Sequence, residues 1–483
     1  MLFNSHQFIL GFLPVTFFIY FYLNKRRMTN AAKCFLVLAS LFFYSWWNIA
    51  YLPLILGSML FNYSLGCELA KTRMKARITK KSILMLGIVA NLGLLGYFKY
   101  TDFLIENFNY ISGSHFGLLN LTLPIAISFF TFQQIIYLVD SYRGETKEYA
   151  FLNYSVFVAF FPQLISGPIV HHKEMMPQFE NNRNKIINHE NIAIGMLFFS
   201  IGLFKKVVLA DTFATWATNG FDRAEILYFF EAWATSLSYT FQLYFDFSGY
   251  ADMAIGIGLL FNIRLPINFN SPYKSRDIRD FWRRWHITLS RFLRDYVYIP
   301  LGGNKGTSIK TYNNLMVTFL IGGIWHGAGW TFVFWGLLHG LALVLQRLWS
   351  SFGLKMPNLL AWFITFNFVY LAWVFFRAES FSDALKVIQG MFLLNGFGFS
   401  TFPMSMTNQF IVGYMDILGD IIVSKDIIMW LVLGLAVSLF AKNSNEIAAK
   451  FRPSIVWIIG TLVILIYSVF AMNQPTEFLY FNF

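Results

Sequence analysis

Long apolar stretches recur along the whole chain, and polar residues gather in the short intervals between them. A helix needs about 20 predominantly apolar residues to cross the hydrocarbon core of a bilayer. The pattern predicts an all-α polytopic membrane protein with roughly eleven to thirteen membrane segments, re-entrant or interfacial helices included. Because such a bundle shares one interior, we expect a single domain over residues 1–483. The stretches lie at Phe8–Leu23, Cys34–Ala50, Leu52–Leu69, Ile83–Phe98, Leu123–Val139, Ile192–Ala210, Leu227–Phe245, Leu315–Leu348, Leu359–Phe376, Ile427–Leu439 and Ile455–Phe470.

The composition also indicates lipid as the main surrounding solvent. Of the 483 residues, 57% are hydrophobic and 13% charged, whereas a soluble domain carries about 25% charged residues. The net charge of +12 suits basic cytoplasmic loops that face anionic membrane lipid, and we expect no nucleic-acid partner. Cys34 and Cys67 lie in apolar spans without the spacing of a metal site, so we interpret them as packing residues. We expect neither a metal nor a bound cofactor.

Basic residues orient the first spans. Three of them, residues 25–27, follow the first apolar stretch rather than precede it, which distinguishes this stretch from a signal peptide. The positive-inside rule then places the 24–33 loop in the cytoplasm and the N-terminus outside. The basic 71–81 loop comes two spans later, on the same side. Further along, Lys205 and Lys206 are expected to extend their ammonium groups to the membrane interface.

The succession of long apolar stretches is interrupted between about residues 261 and 310. Residues 268–295 are rich in arginine and aromatic residues, and they are too charged to cross lipid as a simple span. Asp277, Asp280 and Arg284 follow i, i+3, i+7 spacing. Phe281, Trp285 and Thr288 follow i, i+4, i+7 spacing, so the two sets together predict an amphipathic helix through residues 277–288 that lies in the interface or re-enters the protein.

One histidine, His326, stands inside an otherwise apolar segment, in the run GGIWHGAGW of residues 322–330. An ionisable group at membrane depth is costly, so it should face the protein interior or a water-filled cavity. Imidazole is the natural general base near neutral pH. The structural alternative is a packing histidine whose ring N–H binds a neighbouring carbonyl, and spacing alone does not decide between the two.

Two other kinds of polar residue accompany it. His286, beside Trp285, serves substrate positioning, acts as a second acid or base, or forms a hydrogen bond between helices. Asp246 and Asp252 flank an apolar run, where they orient a catalytic group or form ion pairs with the arginines of residues 276–294. The ion pair is the favoured interpretation, because buried carboxylates need partners.

The remaining histidines of the apolar regions favour structural interpretations. His339 follows His326 by thirteen residues and falls on a different helical face. His171 and His172 adjoin the Gly167–Pro168 break, which suggests interfacial loop residues. The chain has no HExxH, phosphate-binding P-loop or GxSxG motif, so the corresponding protease, nucleotide and esterase chemistries find no support.

The runs WRRWHITLSRFLRDYVYIPLGGN at 282–304 and WHGAGW at 325–330 resemble the membrane-bound O-acyltransferase superfamily. Within it, the sequence most resembles the bacterial alginate O-acetyltransferase branch. Ala126 departs from the pattern, because this branch leads us to expect glycine there. Further matches are LPIAISFFTFQ at 123–133, FPQLISGP at 161–168, YFDFSGYADM at 244–253 and the aromatic C-terminus at 478–483.

The resemblance implies roles for particular residues. It assigns the catalytic histidine to His326 and a second functional histidine to His286, within a catalytic core at about residues 120–345. It also implies a ring of tilted helices around a channel that joins the two membrane faces. We place Trp325 and Asp246 among the residues that position the substrates. Arg283 and Arg284 are expected to attract an anionic donor, acetyl-CoA or another acyl thioester, although lipid orientation explains the same charges.

The implied activity is that of an inner-membrane O-acetyltransferase. It would pass an acetyl group from a cytoplasmic thioester to an extracytoplasmic polysaccharide such as alginate, another exopolysaccharide or peptidoglycan. Because the chain lacks a polar stretch large enough for an outer carbohydrate-binding domain, we expect a second, extracytoplasmic transfer protein. Two alternatives remain, D-alanyl transfer to teichoic acid and a transporter or flippase for an envelope precursor. Transporters often have pseudo-symmetric halves, which this sequence does not display.

Overall fold

The structure is a computed structural model that describes residues 1–71, 79–146, 150–397, 419–472 and 478–479. Within these ranges the chain is helical and contains no β-strand. The earlier helices are α1 (Leu13–Lys25), α2 (Thr29–Ser45), α3 (Leu52–Ala70), α4 (Lys80–Ser112), α5 (Ile127–Arg143), α6 (Phe151–Ala159), α7 (Phe161–Leu164), α8 (His172–Glu180) and α9 (His189–Phe204). The later helices are α10 (Asp211–Thr218), α11 (Phe229–Leu260), α12 (Ile278–Arg284), α13 (Ile287–Leu293), α14 (Ser308–His326), α15 (Trp330–Ser351), α16 (Asn358–Arg377), α17 (Phe381–Met391), α18 (Gly419–Phe440), α19 (Ser444–Ala448) and α20 (Ile455–Ala471). Segments of π-helix lie at Gln7–Phe12, Lys205–Ala210, Asn219–Arg223 and Arg294–Tyr298, and 3-10 turns at Ile49–Tyr51, Asn182–Lys185 and Pro272–Lys274.

Six helices in the described part of the chain are long and apolar enough to cross a bilayer, and three shorter helices are also apolar. The prediction of an all-α polytopic membrane protein is therefore confirmed, while the number of eleven to thirteen segments stays a prediction. The long helices are Gln7–Lys25, Ile49–Ala70, Lys80–Ser112, His189–Arg223, Trp330–Ser351 and Asn358–Arg377, and the shorter ones are Thr29–Ser45, Asp426–Phe440 and Ile455–Ala471.

Local side-chain hydrogen bonds set several helix starts. The hydroxyl of Thr79 accepts a hydrogen bond from the Ser82 N–H at the start of α4, and Thr307 accepts one from the Lys310 N–H at the start of α14. At α5 the preceding residue, Ala126, adopts a left-handed conformation with φ of 66°. Glycine adopts this conformation without the steric penalty of a Cβ, which gives a physical reason for the glycine expected at this position.

The first compact unit comprises residues 1–204, 249–268 and 447–483, as far as they are described. In this unit α9 crosses the C-terminal part of α11 at two glycines. A Cβ on Gly195 would lie 2.7 Å from the carbonyl oxygen of Gly256, and one on Gly256 would lie 2.6 Å from the carbonyl oxygen of Gly195. Only residues without side chains permit helix backbones to approach this closely.

His171 and His172 also belong to this first unit, and their interpretation as interfacial loop residues is wrong. Residues 154–172 are buried throughout, so the Gly167–Pro168 break lies inside the unit rather than at its surface. Nδ1 of His171 lies 3.3 Å from Oδ2 of Asp140. His172 begins α8 and packs its ring 5.2 Å from that of Phe157.

The second unit comprises residues 205–248 and 269–446 in their described parts. It contains the six residues to which the resemblance led us to assign a catalytic or positioning role: Asp246, Arg283, Arg284, His286, Trp325 and His326. The division into two units neither supports nor contradicts the prediction of one domain with a core at about 120–345, which stays a prediction.

Two other sequence expectations fall partly outside the described residues. Most of the basic 71–81 loop, residues 72–78, is not described, so the membrane orientation stays a prediction. At the aromatic C-terminus only Phe478 and Leu479 are described. The Phe478 ring stacks on that of Tyr250 in the first unit, with centroids 4.5 Å apart.

Candidate active site

The site is built on the hairpin of α14 and α15. α14 ends at His326, because Gly327 takes an extended conformation, with φ of −161° and ψ of 154°. The short connection that follows leads into α15 at Trp330. His326 is therefore held at the C-terminal end of a helix, and it is buried. The carbonyl groups at a helix C-terminus carry partial negative charge, which favours a cation at this position.

Glycine residues bring the two helices of this hairpin together one turn before His326. A Cβ on Gly323 would lie 2.4 Å from the carbonyl oxygen of Phe332. One on Gly336 would lie 2.5 Å from the carbonyl oxygen of Phe319. These contacts leave no room for a methyl group on either helix, so the backbone that carries His326 has little freedom to shift.

Aromatic rings surround the His326 imidazole on several sides. Its ring centroid lies 4.8 Å from that of Trp325, 5.2 Å from Trp335 and 5.0 Å from Phe376, and all three rings meet it edge to face. Phe376 comes from α16, so three successive helices contribute to the enclosure. Rings packed in this way restrict the orientation of the imidazole and exclude bulk water from it.

His286 lies in the sharp break between α12 and α13, outside the candidate membrane spans. It adopts φ of 40°, and its Nδ1 accepts a hydrogen bond of 3.3 Å from the Leu289 N–H. Complete burial lowers the pKa of His286 to about 3, so the imidazole is neutral near pH 7. Since Nδ1 accepts, the proton of this neutral ring resides on Nε2, which makes His286 a hydrogen-bond donor at that atom.

This break contradicts the predicted amphipathic helix through residues 277–288. α12 ends at Arg284, Trp285 is extended, and the left-handed His286 caps α13 instead of continuing the helix. The i, i+3, i+7 pattern is satisfied only within one short helix. The extended Trp285 ends this helix, and side-chain capping by the imidazole, which periodicity does not reveal, starts the next one.

Trp325 brings the two histidines into one cluster. Its ring centroid lies 4.8 Å from that of His326 and 6.4 Å from that of His286. The Phe247 ring also packs edge to face on His286, with centroids 4.6 Å apart. The structure therefore brings together the two histidines that are separated by 40 positions in the chain.

The two arginines singled out in the sequence have different surroundings. The side chain of Arg284 is already engaged: its Nε donates to Oδ1 of Asp280 over 2.9 Å, and its Nη1 donates to the carbonyl oxygen of Asn270 over 3.3 Å. Arg283, in contrast, is exposed. Arg283 is therefore the more exposed of the two, and the Arg284 side chain, 33% exposed, is held by Asp280.

Asp246 forms an ion pair, as favoured from the sequence, but with Lys206, whereas the expected partners were the arginines of residues 276–294. Nζ of Lys206 lies 2.7 Å from Oδ1 of Asp246 and 2.9 Å from Oδ1 of Asp211. The expectation that Lys206 reaches the membrane interface is wrong, because its side chain is only 5% exposed. Burial of this charge is tolerable since two carboxylates compensate it. Asp252, the other carboxylate of the same motif, belongs to the first unit.

The part played by His339 and by two tryptophans could not be recognised from the sequence. Nε1 of Trp282 donates a 3.2 Å hydrogen bond to Nδ1 of His339. Trp335 lies beside the His339 ring, 4.7 Å between centroids, and also beside His326. No local signal indicates these contacts, because the hydrogen-bonded residues are 57 positions apart. Among the described residues no group of three or more His, Cys, Asp or Glu is arranged to hold a metal ion.

Comparisons with known proteins agree on the family. The family model described as MBOAT, membrane-bound O-acyltransferase family, matches residues 140–381, a range that includes His286 and His326. The peptidoglycan O-acetyltransferase of Helicobacter pylori is 51% identical over 520 aligned positions, which cover 100% of this chain and 98% of the relative.

Two further relatives show how the similarity extends. A probable alginate O-acetylase AlgI of Pseudomonas aeruginosa is 42% identical over 415 positions, covering 85% of this chain and 77% of the relative. A teichoic acid D-alanyltransferase of Streptococcus thermophilus is 30% identical over 282 positions, or 52% of this chain and 68% of the relative. From the match across half its length and the full-length similarity to an O-acetyltransferase, we conclude that this chain belongs to the membrane-bound O-acyltransferase family and is a multi-pass membrane acyltransferase.

Proposed function

We propose that the protein transfers acetyl groups for the O-acetylation of a cell-envelope polysaccharide, with peptidoglycan as the acceptor polymer to test first. The full-length relative is named a peptidoglycan O-acetyltransferase, while the alginate relatives cover less of this chain. D-alanyl transfer is less favoured, because the similarity to the D-alanyltransferases extends over about half of the chain. The observation that carries the proposal is the buried His326 at the end of α14, enclosed by aromatic rings in a chain of this family.

His326 is proposed as the general base. The acceptor oxygen forms a bond to the acetyl carbonyl carbon while its proton passes to the imidazole of His326. The tetrahedral intermediate then expels the thiolate as the C–S bond breaks, and the imidazolium returns the proton to sulfur. The C-terminal end of α14 would stabilise this transient imidazolium by about 0.3–1 kcal/mol, and by up to ~2 kcal/mol in a partly buried setting.

His286 is proposed to act as a neutral hydrogen-bond donor rather than as a second base. Its low pKa leaves the ring uncharged near neutral pH, and its Nδ1 is occupied by the Leu289 N–H. The Nε2–H donor suits an oxygen that gains negative charge during acyl transfer, such as the thioester carbonyl oxygen. Trp325 lies between the two imidazoles and would keep them in a fixed relation.

The donor is proposed to be a cytoplasmic acyl thioester, either acetyl-CoA or an acyl carrier with a phosphopantetheine arm. Arg283 is the better candidate for attracting its phosphate groups, because it is exposed whereas Arg284 is bound to Asp280. We place the protein in the bacterial inner membrane, where the donor is available on one face and the polymer on the other.

A second, extracytoplasmic protein is proposed to receive the acetyl group and deliver it to the polymer. Recognition of a long carbohydrate needs several aligned polar groups and aromatic platforms on a water-exposed surface. Such a surface is difficult to provide in a chain whose residues are 57% hydrophobic and whose helices are mainly apolar. The immediate acceptor hydroxyl would then belong to this partner.

The test of the proposed function is His326→Ala, expressed in cells from which the native gene has been deleted. We expect loss of base-releasable acetate from peptidoglycan, with the variant still present in the membrane at the wild-type level. His115→Ala makes the same chemical change at an exposed residue and serves as the matched control, with normal acetylation expected. Normal acetylation in the His326→Ala strain would remove His326 from the chemistry.

The polymer and the partner are tested separately. Acetate on isolated peptidoglycan and on exopolysaccharide is measured in the same strains, and loss from exopolysaccharide alone would replace peptidoglycan as the acceptor. Release of D-alanine instead of acetate would favour the alternative reaction. For the partner, purified protein in liposomes receives acetyl-CoA inside and peptidoglycan fragments outside. Efficient acetylation without a second protein would refute the need for one.

A further inference from the structure

We propose that His339 is a positioning residue for acyl transfer, which holds Trp282 and Trp335 so that Trp335 fixes the orientation of the His326 imidazole. This inference rests on the proposed role of His326 as the general base. It assigns a function to a histidine whose sequence context favoured a structural one.

The first step is the hydrogen bond between Trp282 and His339. Nε1 of Trp282 donates to Nδ1 of His339 over 3.2 Å, and both side chains are buried. An indole N–H can only donate, so Nδ1 of His339 accepts and the neutral imidazole carries its proton on Nε2. The bond connects α12 to α15, the helix that packs against the helix of His326.

The second step is the ring contact that leads from His339 to His326. The Trp335 centroid lies 4.7 Å from that of His339 and 5.2 Å from that of His326. The Trp282 ring meets Trp335 at 5.8 Å, and Trp373 stacks on it at 5.7 Å with an interplanar angle of 19°. Trp335 is therefore enclosed by partners, and its orientation determines one wall of the His326 enclosure.

Packing alone does not account for an imidazole at residue 339. Its Nε2 is buried and has no hydrogen-bond partner among the described residues. Burial of an unsatisfied polar group costs about 1–3 kcal/mol, which an apolar side chain of similar size would avoid. What the imidazole offers in return is an acceptor that fixes the Trp282 indole, and through it the rotamer of Trp335.

The orientation of His326 matters because proton transfer requires a defined geometry. A general base must lie within about 2.6–3.2 Å of the proton-bearing atom. A misplacement of about 1 Å lowers the rate by about 100-fold. A change at His339 should consequently lower kcat while leaving donor binding, and hence the KM for the donor, nearly unchanged.

The experiment is a double-mutant cycle with purified protein in liposomes that hold acetyl-CoA inside as the donor. Peptidoglycan fragments and an extract of extracytoplasmic proteins outside serve as the acceptor, and acetyl transfer to them is measured. We expect His339→Leu and Trp282→Phe each to lower kcat by about tenfold, the equivalent of one lost hydrogen bond of about 1.4 kcal/mol. The double variant should be no slower than the slower single variant, because both changes remove the same interaction. His339→Gln, whose amide oxygen can accept from Trp282, should recover most of the lost rate.

Trp233→Phe is the matched control. It removes an indole hydrogen bond of the same kind, from Nε1 of Trp233 to the carbonyl oxygen of Met391 over 3.1 Å, in the same compact unit. We expect it to leave kcat near the wild-type value. If His339→Leu does not accumulate in the membrane, Trp282→Phe and Trp335→Phe decide the question, with a fall in kcat at constant KM expected for both.

Several results would overturn the inference. A wild-type kcat in His339→Leu would do so, as would a raised KM in this variant without a change in kcat. Losses of kcat that multiply in the double variant, or a loss of kcat in Trp233→Phe equal to that in His339→Leu, would also contradict it. These outcomes are distinguishable from failure of the proposed function. If His326→Ala is inactive and His339→Leu is fully active, only the positioning role of His339 is refuted. If His326→Ala is active, the role of His326 as the general base is refuted.

Discussion

Gly323→Ala should show whether activity depends on the position of His326, because this substitution shifts the site while every proposed functional residue remains in the chain. The new Cβ would lie 2.4 Å from the carbonyl oxygen of Phe332 and 3.1 Å from the Cα of Gly336. An ordinary contact begins near 3.4 Å, so α14 and α15 must separate by about 1 Å. Overpacking of this kind costs about 1–3 kcal/mol. Since His326 follows Gly323 by three residues, the displacement reaches the imidazole, and we expect kcat to fall by about 100-fold.

The assay measures acetyl transfer by purified protein in liposomes, together with the amount of folded protein after detergent extraction. Gly93→Ala is the matched control, because no atom lies within 4 Å of a Cβ at this glycine in α4. That substitution should leave kcat unchanged and stabilise the helix by about 1 kcal/mol. Wild-type turnover in Gly323→Ala, with both helices intact, would refute the argument that the glycine contact sets the position of His326.

The other predictions concern charge and backbone conformation. Lys206→Met should lower the free energy of unfolding by about 3–5 kcal/mol, because it removes the ammonium partner of Asp246. The double variant Lys206→Met, Asp246→Leu should recover most of this loss, as measured by thermal unfolding, and an equally unstable double variant would contradict the prediction. Ala126→Gly should raise the unfolding temperature. It relieves about 1–2 kcal/mol of left-handed backbone strain, which exceeds the entropic cost of glycine of roughly 0.5–1 kcal/mol. A lowered unfolding temperature would be evidence against this strain. Arg283→Gln should raise the KM for acetyl-CoA, whereas Arg284→Gln should chiefly lower stability, by about 0.5 kcal/mol. Equal effects of the two substitutions on KM would contradict the different roles assigned to the two arginines.

The membrane character was predictable from the sequence, and so was the burial of His326. Hydropathy locates helices because the bilayer has a fixed thickness and every backbone polar group in it must be satisfied internally. The same physics makes an ionisable residue in an apolar run conspicuous, which is why His326 stands out in the sequence by itself. The motifs around residues 282–304 and 325–330 led to the correct family because they are long enough to be specific.

Tertiary structure decided what depends on contacts between distant residues. Periodicity predicted one helix through His286, but the extended Trp285 ends α12 and the His286 side chain caps the start of α13. Lys206 has the sequence context of an interfacial lysine, but it is buried between two carboxylate partners, one of them 40 positions away in the chain. The hydrogen bond between Trp282 and His339 could not be predicted from local spacing, because the two residues are 57 positions apart in the chain. A sequence pattern reports the solvent that each side chain prefers, whereas the partner that a buried polar group finds is determined by which helices pack together.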